Sequence, residues 1–164
     1  MPTDGAFPAK VSGINLAEVE LGTVAQKKGN NEAVRQFGKL MVSDQSNAEN
    51  ATKRLAPDLK VTIPEKWGKD VAELNAQLSH LRGAQFDVDY IRHMVAEHNG
   101  AIAMIENEIE HGQDPAIKAF GEKILPTVQD HLRIAENIAE KIGMSGKEGL
   151  SQPDKAIEAS GHPR

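Results

Sequence analysis

Apolar residues recur at intervals of three and four along most of the chain, which is the spacing of one face of an α-helix. Alternation of apolar and polar residues, which indicates a strand, is hard to find. Capping residues, glycines and prolines separate the periodic segments and mark where helices begin and end. The pattern predicts helices over residues 14–28, 32–56, 69–81, 84–111 and 115–142.

The lengths of the connections predict how these helices are arranged. Short turns join the first long helix to the second and the third to the fourth, whereas residues 57–68 and the short helix after them separate the two pairs. Such a chain is typical of an all-α, ferritin-like four-helix bundle with a crossover connection that carries an extra short helix. We expect a flexible N-terminal lead-in over 1–12, the bundle domain over 13–142 and a flexible tail over 143–164. No internal repeat is evident.

Composition and charge narrow the classes of function. The chain has 164 residues, a formal net charge of −5 and no cysteine. The lack of cysteine excludes a disulfide framework, a thiol nucleophile and any cysteine-ligated metal site. Neither a basic stripe nor an aromatic stacking platform is present, which argues against nucleic acid as a partner. No apolar run approaches the roughly 20 residues of a transmembrane helix.

Three predicted helices carry one ionisable residue near the middle of an otherwise apolar face, namely Asp44, His98 and His131. On the first helix, the nearest inward-facing carboxylate is Glu18. Counting from the helix ends at about 1.5 Å per residue places the four at similar heights. We therefore expect Glu18, Asp44, His98 and His131 to meet in the centre of the bundle.

Two carboxylates and two imidazoles suit a zinc, iron or manganese ion. Burying two carboxylates without a cation is costly, which favours a metal. A hydrogen-bonded polar network that fixes the helix register and binds nothing accounts for the same residues. The sequence leaves both interpretations open, and it predicts no catalytic residue.

Two other metal patterns are weaker. The Glu-x-x-His spacing of di-iron bundles occurs once, at Glu108 and His111, whereas such sites need it twice at mid-depth. Met41, Met94 and Met104 could be soft copper ligands, but methionine on a buried helix face is far more often core filling.

Six blocks of the sequence resemble one bacterial family. They are AEVELG at 17–22, MVSD at 41–44, FDVDY at 86–90, MVAEH at 94–98, GQDP at 112–115 and LPTVQDHL at 125–132. The family comprises uncharacterised ferritin-like proteins that are exported and often labelled as outer membrane proteins. The resemblance implies a periplasmic or envelope-associated bundle whose signal peptide is absent from this sequence.

One departure from the family bears on the metal hypothesis. The family usually has Asp-His in the second helix, whereas this chain has Asp44 followed by Gln45. If that histidine is a ligand in relatives, the replacement weakens or alters a metal site here. The stretch 94–104 also resembles a second exported helical family, one associated with copper, although the paired histidines of that family are not both present.

These observations favour an exported helical-bundle protein with a non-catalytic role, and they leave open whether the central cluster binds a transition metal. Two alternatives stay open. One is a small metalloenzyme that acts on iron or oxygen species through the same four residues. The other is a structural or interaction module of the cell envelope with a buried polar network. The sequence names neither a partner nor an oligomeric state.

Overall fold

The computed structural model describes residues 4–63 and 69–144, and within these ranges the chain forms five helices and no strand. They are α1 (Ala6–Lys28), α2 (Glu32–Leu59), α3 (Lys69–Ser79), α4 (Gly83–His111) and α5 (Pro115–Lys141). The predicted all-α class is confirmed. None of these helices combines the length and the apolar character needed to cross a membrane.

The first helix begins earlier than the sequence pattern predicted. The predicted start at residue 14 and the predicted lead-in over 1–12 are wrong for residues 6–12, because α1 already begins at Ala6. Phe7 and Val11 are buried, and the Phe7 ring meets that of Phe120 edge to face at 6.0 Å. Pro8 is tolerated because it lies in the first helical turn, where backbone N–H groups have no partner within the helix. Residues 1–3 lie outside the described ranges.

The other predicted helix ends differ by a few residues. α2 continues through Pro57 and ends at Leu59, which is buried, and Lys60 then takes the left-handed conformation with a φ of 56°. α3 ends at Ser79, two residues before the predicted end, and Gly83 is the first residue of α4, with a φ of 58° that a side chain would disfavour. Of the predicted tail, residues 145–164 lie outside the described ranges.

The two long-helix hairpins, α1–α2 and α4–α5, are each packed more closely internally than against each other. In the first hairpin, Gly22 and Gly38 face each other across the helix pair. A Cβ added at Gly38 would lie 2.7 Å from the Gly22 carbonyl oxygen, and one at Gly22 would lie equally close to the Gly38 carbonyl. These two glycines let the α1 and α2 backbones approach closely.

An aspartate from each hairpin caps the turn of the other. The Asp87 carboxylate of α4 accepts hydrogen bonds from the backbone N–H groups of Asn30 and Asn31, both at 2.8 Å. Asp4, just before α1, accepts from the N–H groups of Gln113 and Asp114 at 3.1 Å. The start of α4 therefore lies at the α1–α2 turn, and the start of α1 lies at the α4–α5 turn.

The two hairpins share a repeated frame, contrary to the expectation of no internal repeat. The same offset of 83 residues relates the capping aspartates, the turn glycines, the helix-capping Asn31 and Asp114, and a buried phenylalanine-glycine pair on the second helix of each hairpin. These pairs are Asp4 and Asp87, Gly29 and Gly112, Asn31 and Asp114, Phe37 and Phe120, and Gly38 and Gly121. Because these matches are few and scattered, they are hard to detect before the structure shows their equivalent roles.

The apolar core is divided into two clusters. One lies towards the α1–α2 turn and includes Leu21, Phe37, Met41 and Tyr90. The other lies towards the α4–α5 turn and consists of buried apolar residues from four helices: Phe7, Val11, Leu59, Ile105, Ile117 and Phe120. Polar side chains occupy the level between the clusters.

We expect Gly38→Ala to destabilise the protein by about 2 kcal/mol, because the new methyl group would overlap the α1 backbone. Gly100→Ala is the matched control, since this exposed glycine on α4 has no described neighbour within 4 Å of an added Cβ. It should stabilise the protein by about 0.5–1 kcal/mol through helix propensity. Urea unfolding followed by circular dichroism measures both, and equal effects of the two substitutions would contradict the close helix contact.

Candidate functional site

Five polar side chains lie at mid-height in the bundle, and we call them the polar layer: Glu18 on α1, Asp44 and Gln45 on α2, His98 on α4 and His131 on α5. On each of these helices they fall between residues of the two apolar clusters. Glu18, His98 and His131 are each no more than 2% exposed. The heights predicted from helix rise are therefore close to those observed.

Within the polar layer, Glu18 lies between Gln45 and His98. Gln45 donates a hydrogen bond from Nε2 to Glu18 Oε1. The other carboxylate oxygen, Oε2, lies 3.6 Å from His98 Nε2, which is too long for a hydrogen bond. His98 Nδ1 lies 2.7 Å from the Met94 carbonyl oxygen. Since that carbonyl only accepts, Nδ1 carries the proton, and Nε2 of the neutral ring presents a lone pair towards Glu18.

The second pair in the layer consists of His131 and Asp44. His131 donates from Nε2 to Asp44 Oδ2 at 2.8 Å. His131 Nδ1 is buried and has no hydrogen-bond partner in the described part of the chain. The rings of His98 and His131 meet edge to face at 5.7 Å, so the two pairs are adjacent.

Burial controls the protonation of the first pair. Removal from water raises the pKa of Glu18 to about 7, although the hydrogen bond from Gln45 and the nearby His131 act in the opposite direction. Burial also lowers the pKa of His98. A protonated Glu18 beside a neutral His98 supplies the one donor that this contact otherwise lacks.

The arrangement differs from the predicted metal centre. In residues 4–63 and 69–144, no group of three or more histidine, aspartate and glutamate side chains is placed to hold a metal ion. The four predicted residues form two pairs instead. Asp44 is also less central than predicted, because its side chain is 37% exposed.

A cavity of about 420 Å³ extends from the polar layer towards the α4–α5 end of the bundle. Glu18, Asp44, Gln45 and His98 line its polar end. Its other walls are mostly apolar and include Val11, Ile14, Leu55, Met104, Ile105, Phe120, Ile124 and Val128. Exposed residues of α2 and α5, among them Asn47, Lys123 and Thr127, also line it, which places its opening between these helices.

Sequence reasoning missed a second buried polar group, which joins α1 to α2. Glu49 accepts a hydrogen bond from Ser12 Oγ at 2.6 Å and a longer one from Asn15 Nδ2 at 3.5 Å. All three side chains are buried. Met41, Gln45 and Glu49 recur every four residues and lie on the face of α2 that is turned towards α1. The neighbouring face, with its alanines at 48 and 51, is the more apolar of the two and gives the stronger sequence signal.

The weaker metal patterns are dispersed in the structure. Glu108 is buried and accepts from the Asp4 backbone N–H at 2.6 Å, whereas the side chain of His111 is 61% exposed. Met41 and Met94 are buried in the apolar cluster near the α1–α2 turn.

Glu18→Gln should change how stability depends on pH. The pKa of Glu18 is raised in the folded protein, so the folded state holds this proton more tightly than the unfolded chain does. The free energy of unfolding of the wild type therefore falls, relative to that of the variant, as the pH rises from about 4.5 to about 7. The total fall is on the order of 3 kcal/mol. Chemical denaturation at pH 5, 6, 7 and 8 measures it.

Glu106→Gln is the matched control for this series, because Glu106 is exposed on α4 and is solvated in both the folded and unfolded states. The lowered pKa of His98 has the opposite sign, since the folded state resists its protonation and loses stability as the pH falls. Comparing wild type with Glu18→Gln at each pH separates the two effects. Parallel stability profiles for these two proteins would contradict the raised pKa of Glu18.

Two of the solved structures that match this chain share its fold. A DUF305 fragment from Deinococcus radiodurans has a TM-score of 0.72 and 17% identity, covering 86% of this chain and 97% of that one. A DUF305 protein from Streptomyces coelicolor, described as secreted, has a TM-score of 0.70 and 18% identity, covering 85% and 92%. At these identities the likeness concerns the fold. No curated protein matches the chain.

The resemblance seen in the sequence is confirmed as far as an all-helical family of unknown function. A family model matches residues 1–138, which is most of the chain and includes all of the polar layer. The chain belongs to the family of the domain of unknown function DUF4142.

Proposed function

We propose that this protein is an exported binding protein that holds a small, largely apolar molecule in the cavity between its two hairpins. The observation that carries the proposal is the cavity itself, about 420 Å³ in volume with apolar walls and buried polar side chains at one end. Ligand sites in proteins commonly have this size and this combination of apolar walls with a few convergent polar groups. The predicted site residues Glu18, Asp44 and His98 form the polar end, and His131 orients Asp44.

Export to the periplasm or the envelope is part of the proposal. A structural neighbour of the same fold is described as secreted. A chain without cysteine folds in an oxidising or a reducing compartment without change. Cell fractionation of the host that carries the full gene should place the protein outside the cytoplasm, and recovery in the cytoplasmic fraction alone would contradict export.

We further propose that the helices follow a ferritin-like order with a crossover between the two hairpins. The cap from Asp87 places the start of α4 at the α1–α2 turn, so α2 and α4 begin at the same end of the bundle. α3 lies against α1, with Asn75 donating to Glu20 at 2.8 Å and Lys28 to the Leu81 carbonyl at 3.4 Å. Two parallel helices joined through a packed short helix agree with such a crossover.

Filling the cavity should abolish binding without unfolding the protein. Ala101 is a small, buried residue in the cavity wall, and Ala101→Phe would occupy part of the space. The neutral fluorophore N-phenyl-1-naphthylamine should bind the wild type and lose at least about tenfold in affinity for the variant, which corresponds to about 1.4 kcal/mol. Ala103→Phe is the matched control, since Ala103 is exposed on the same helix. Equal affinities for the two variants would contradict a ligand site in the cavity.

The metal hypothesis is tested on the same protein. Purified without a histidine tag and analysed for zinc, iron and manganese, the wild type should carry well under one ion per chain, because the polar layer forms two pairs rather than one ligand set. Stoichiometric metal that is lost in both His98→Ala and His131→Ala would overturn the binding proposal. It would assign the layer to a metal centre or a metalloenzyme instead.

A further inference from the structure

The polar end of the cavity is rich in hydrogen-bond acceptors. Glu18 Oε2 and His98 Nε2 lie 3.6 Å apart, and His98 Nε2 has no hydrogen-bond partner among the described residues. Asp44 adds a second carboxylate to the lining. These three groups come from α1, α4 and α2, so acceptors surround this end of the cavity from three sides.

The donors of the polar layer are largely committed elsewhere. The Nδ1–H of His98 is held by the Met94 carbonyl, and the Nε2–H of His131 is held by Asp44. Gln45 donates its amide to Glu18 Oε1 and so does not serve His98 Nε2, which has no hydrogen-bond partner among the described residues. When Glu18 is ionised, a ligand that completes this end must therefore bring donors of its own, because an unmet buried acceptor keeps its full desolvation cost.

We propose that the cavity binds an amphiphilic amine, with its protonated ammonium head against Glu18 and His98 and its hydrocarbon body among the apolar walls. The inference rests on the proposed binding function and names the class of ligand. An ammonium group offers three donors and no acceptor. Its positive charge also balances the charge of the ionised, buried Glu18 carboxylate.

Anionic and neutral head groups fit this end less well than an ammonium group does. A fatty acid would set a third carboxylate beside Glu18 and Asp44, and like charges at short range repel. A neutral alcohol supplies the one donor that the contact lacks, but it brings no positive charge to balance an ionised Glu18. Lys123, at the exposed rim, does not reverse this preference because its charge is solvated and screened.

The apolar part of the cavity defines the rest of the ligand. Val11, Leu55, Ile105 and Phe120 extend from the polar end towards the far apolar cluster. An unbranched or flat hydrocarbon body buried there gains roughly 25 cal/mol for each square ångström removed from water. The ammonium head then supplies orientation and selectivity, and the body supplies much of the affinity.

The test compares three probes of equal chain length: decylammonium, decanol and decanoate. Each displaces N-phenyl-1-naphthylamine from the full chain at pH 8, where decylammonium is protonated and Glu18 is ionised, because its pKa is about 7. We expect decylammonium to bind at least about tenfold more tightly than decanol, since a hydrogen bond to a charged group contributes roughly 1.5–3 kcal/mol. Decanoate should be the weakest of the three.

Two variants assign the preference to the proposed residue. Glu18→Gln keeps the shape of the side chain and should lower the affinity for decylammonium at least about tenfold, while that for decanol changes less than about threefold. Glu49→Gln is the matched control, because it removes a buried carboxylate of α2 that bonds Ser12 and is not part of the cavity lining. It should leave all three affinities within about threefold.

The outcomes separate this inference from the proposed function. Suppose that decanol displaces the fluorophore from the wild type and that Ala101→Phe prevents binding. If decylammonium then binds no more tightly than decanol, or keeps its affinity in Glu18→Gln, the amine inference is wrong and the proposed binding function is retained. If no probe binds the wild type, both proposals are wrong. Displacement of decylammonium by equimolar Zn²⁺ or Mn²⁺ would overturn the inference in favour of a metal ligand set.

Discussion

The register between the two hairpins depends on the reciprocal aspartate caps. Apolar packing between hairpins is non-directional and would allow them to slide, whereas a carboxylate that accepts from two backbone N–H groups fixes a position. Asp87 holds the α1–α2 turn against α4, and Asp4 holds the α4–α5 turn against the start of α1. With both ends fixed, the mid-helix residues Glu18 and His98 are brought to the same height.

The cavity follows from the same division into two hairpins. Gly22 and Gly38 draw α1 and α2 together, and α4 and α5 pack closely as well, but less packing joins one hairpin to the other. Space therefore remains between the hairpins, and the polar layer limits it at one end. A buried carboxyl such as Glu18 is tolerated there because a proton or a donor from outside the layer can meet it.

Periodicity and turn residues were sufficient to predict the helices, and the rise per residue was sufficient to predict that four ionisable residues share a height. Asn31 and Asp114 cap α2 and α5, where the side chain of each accepts a hydrogen bond from the first turn of its helix. The start of α1 was not predictable from breakers alone, since Pro8 is harmless in a first turn and Gly13 lies within the helix.

Which side chains of a helix point into the site was harder to predict than the height of those side chains. α2 packs against α1 and also against α5, so two neighbouring stripes of its surface are covered. The sequence pattern favoured the stripe with Asp44, and the structure shows Gln45 and Glu49 on the more buried one. Gln45 stands where the family usually has histidine, and its amide can donate to Glu18 without itself titrating.

The polar layer differs between the two hairpins, although the frame around it is repeated. The offset of 83 residues that relates the two hairpins pairs Glu18 with Ala101 and His98 with Asn15, and all four line the cavity. The frame of caps, turns and glycines is common to both hairpins. At these equivalent positions, however, the first hairpin carries the carboxylate of Glu18 and the second carries the imidazole of His98. Two copies of the first hairpin would set an asparagine opposite the carboxylate, and two copies of the second would set an alanine opposite the imidazole. Because the two hairpins differ at these positions, a carboxyl faces an imidazole, and one donor, from a proton or from a bound ligand, completes the contact.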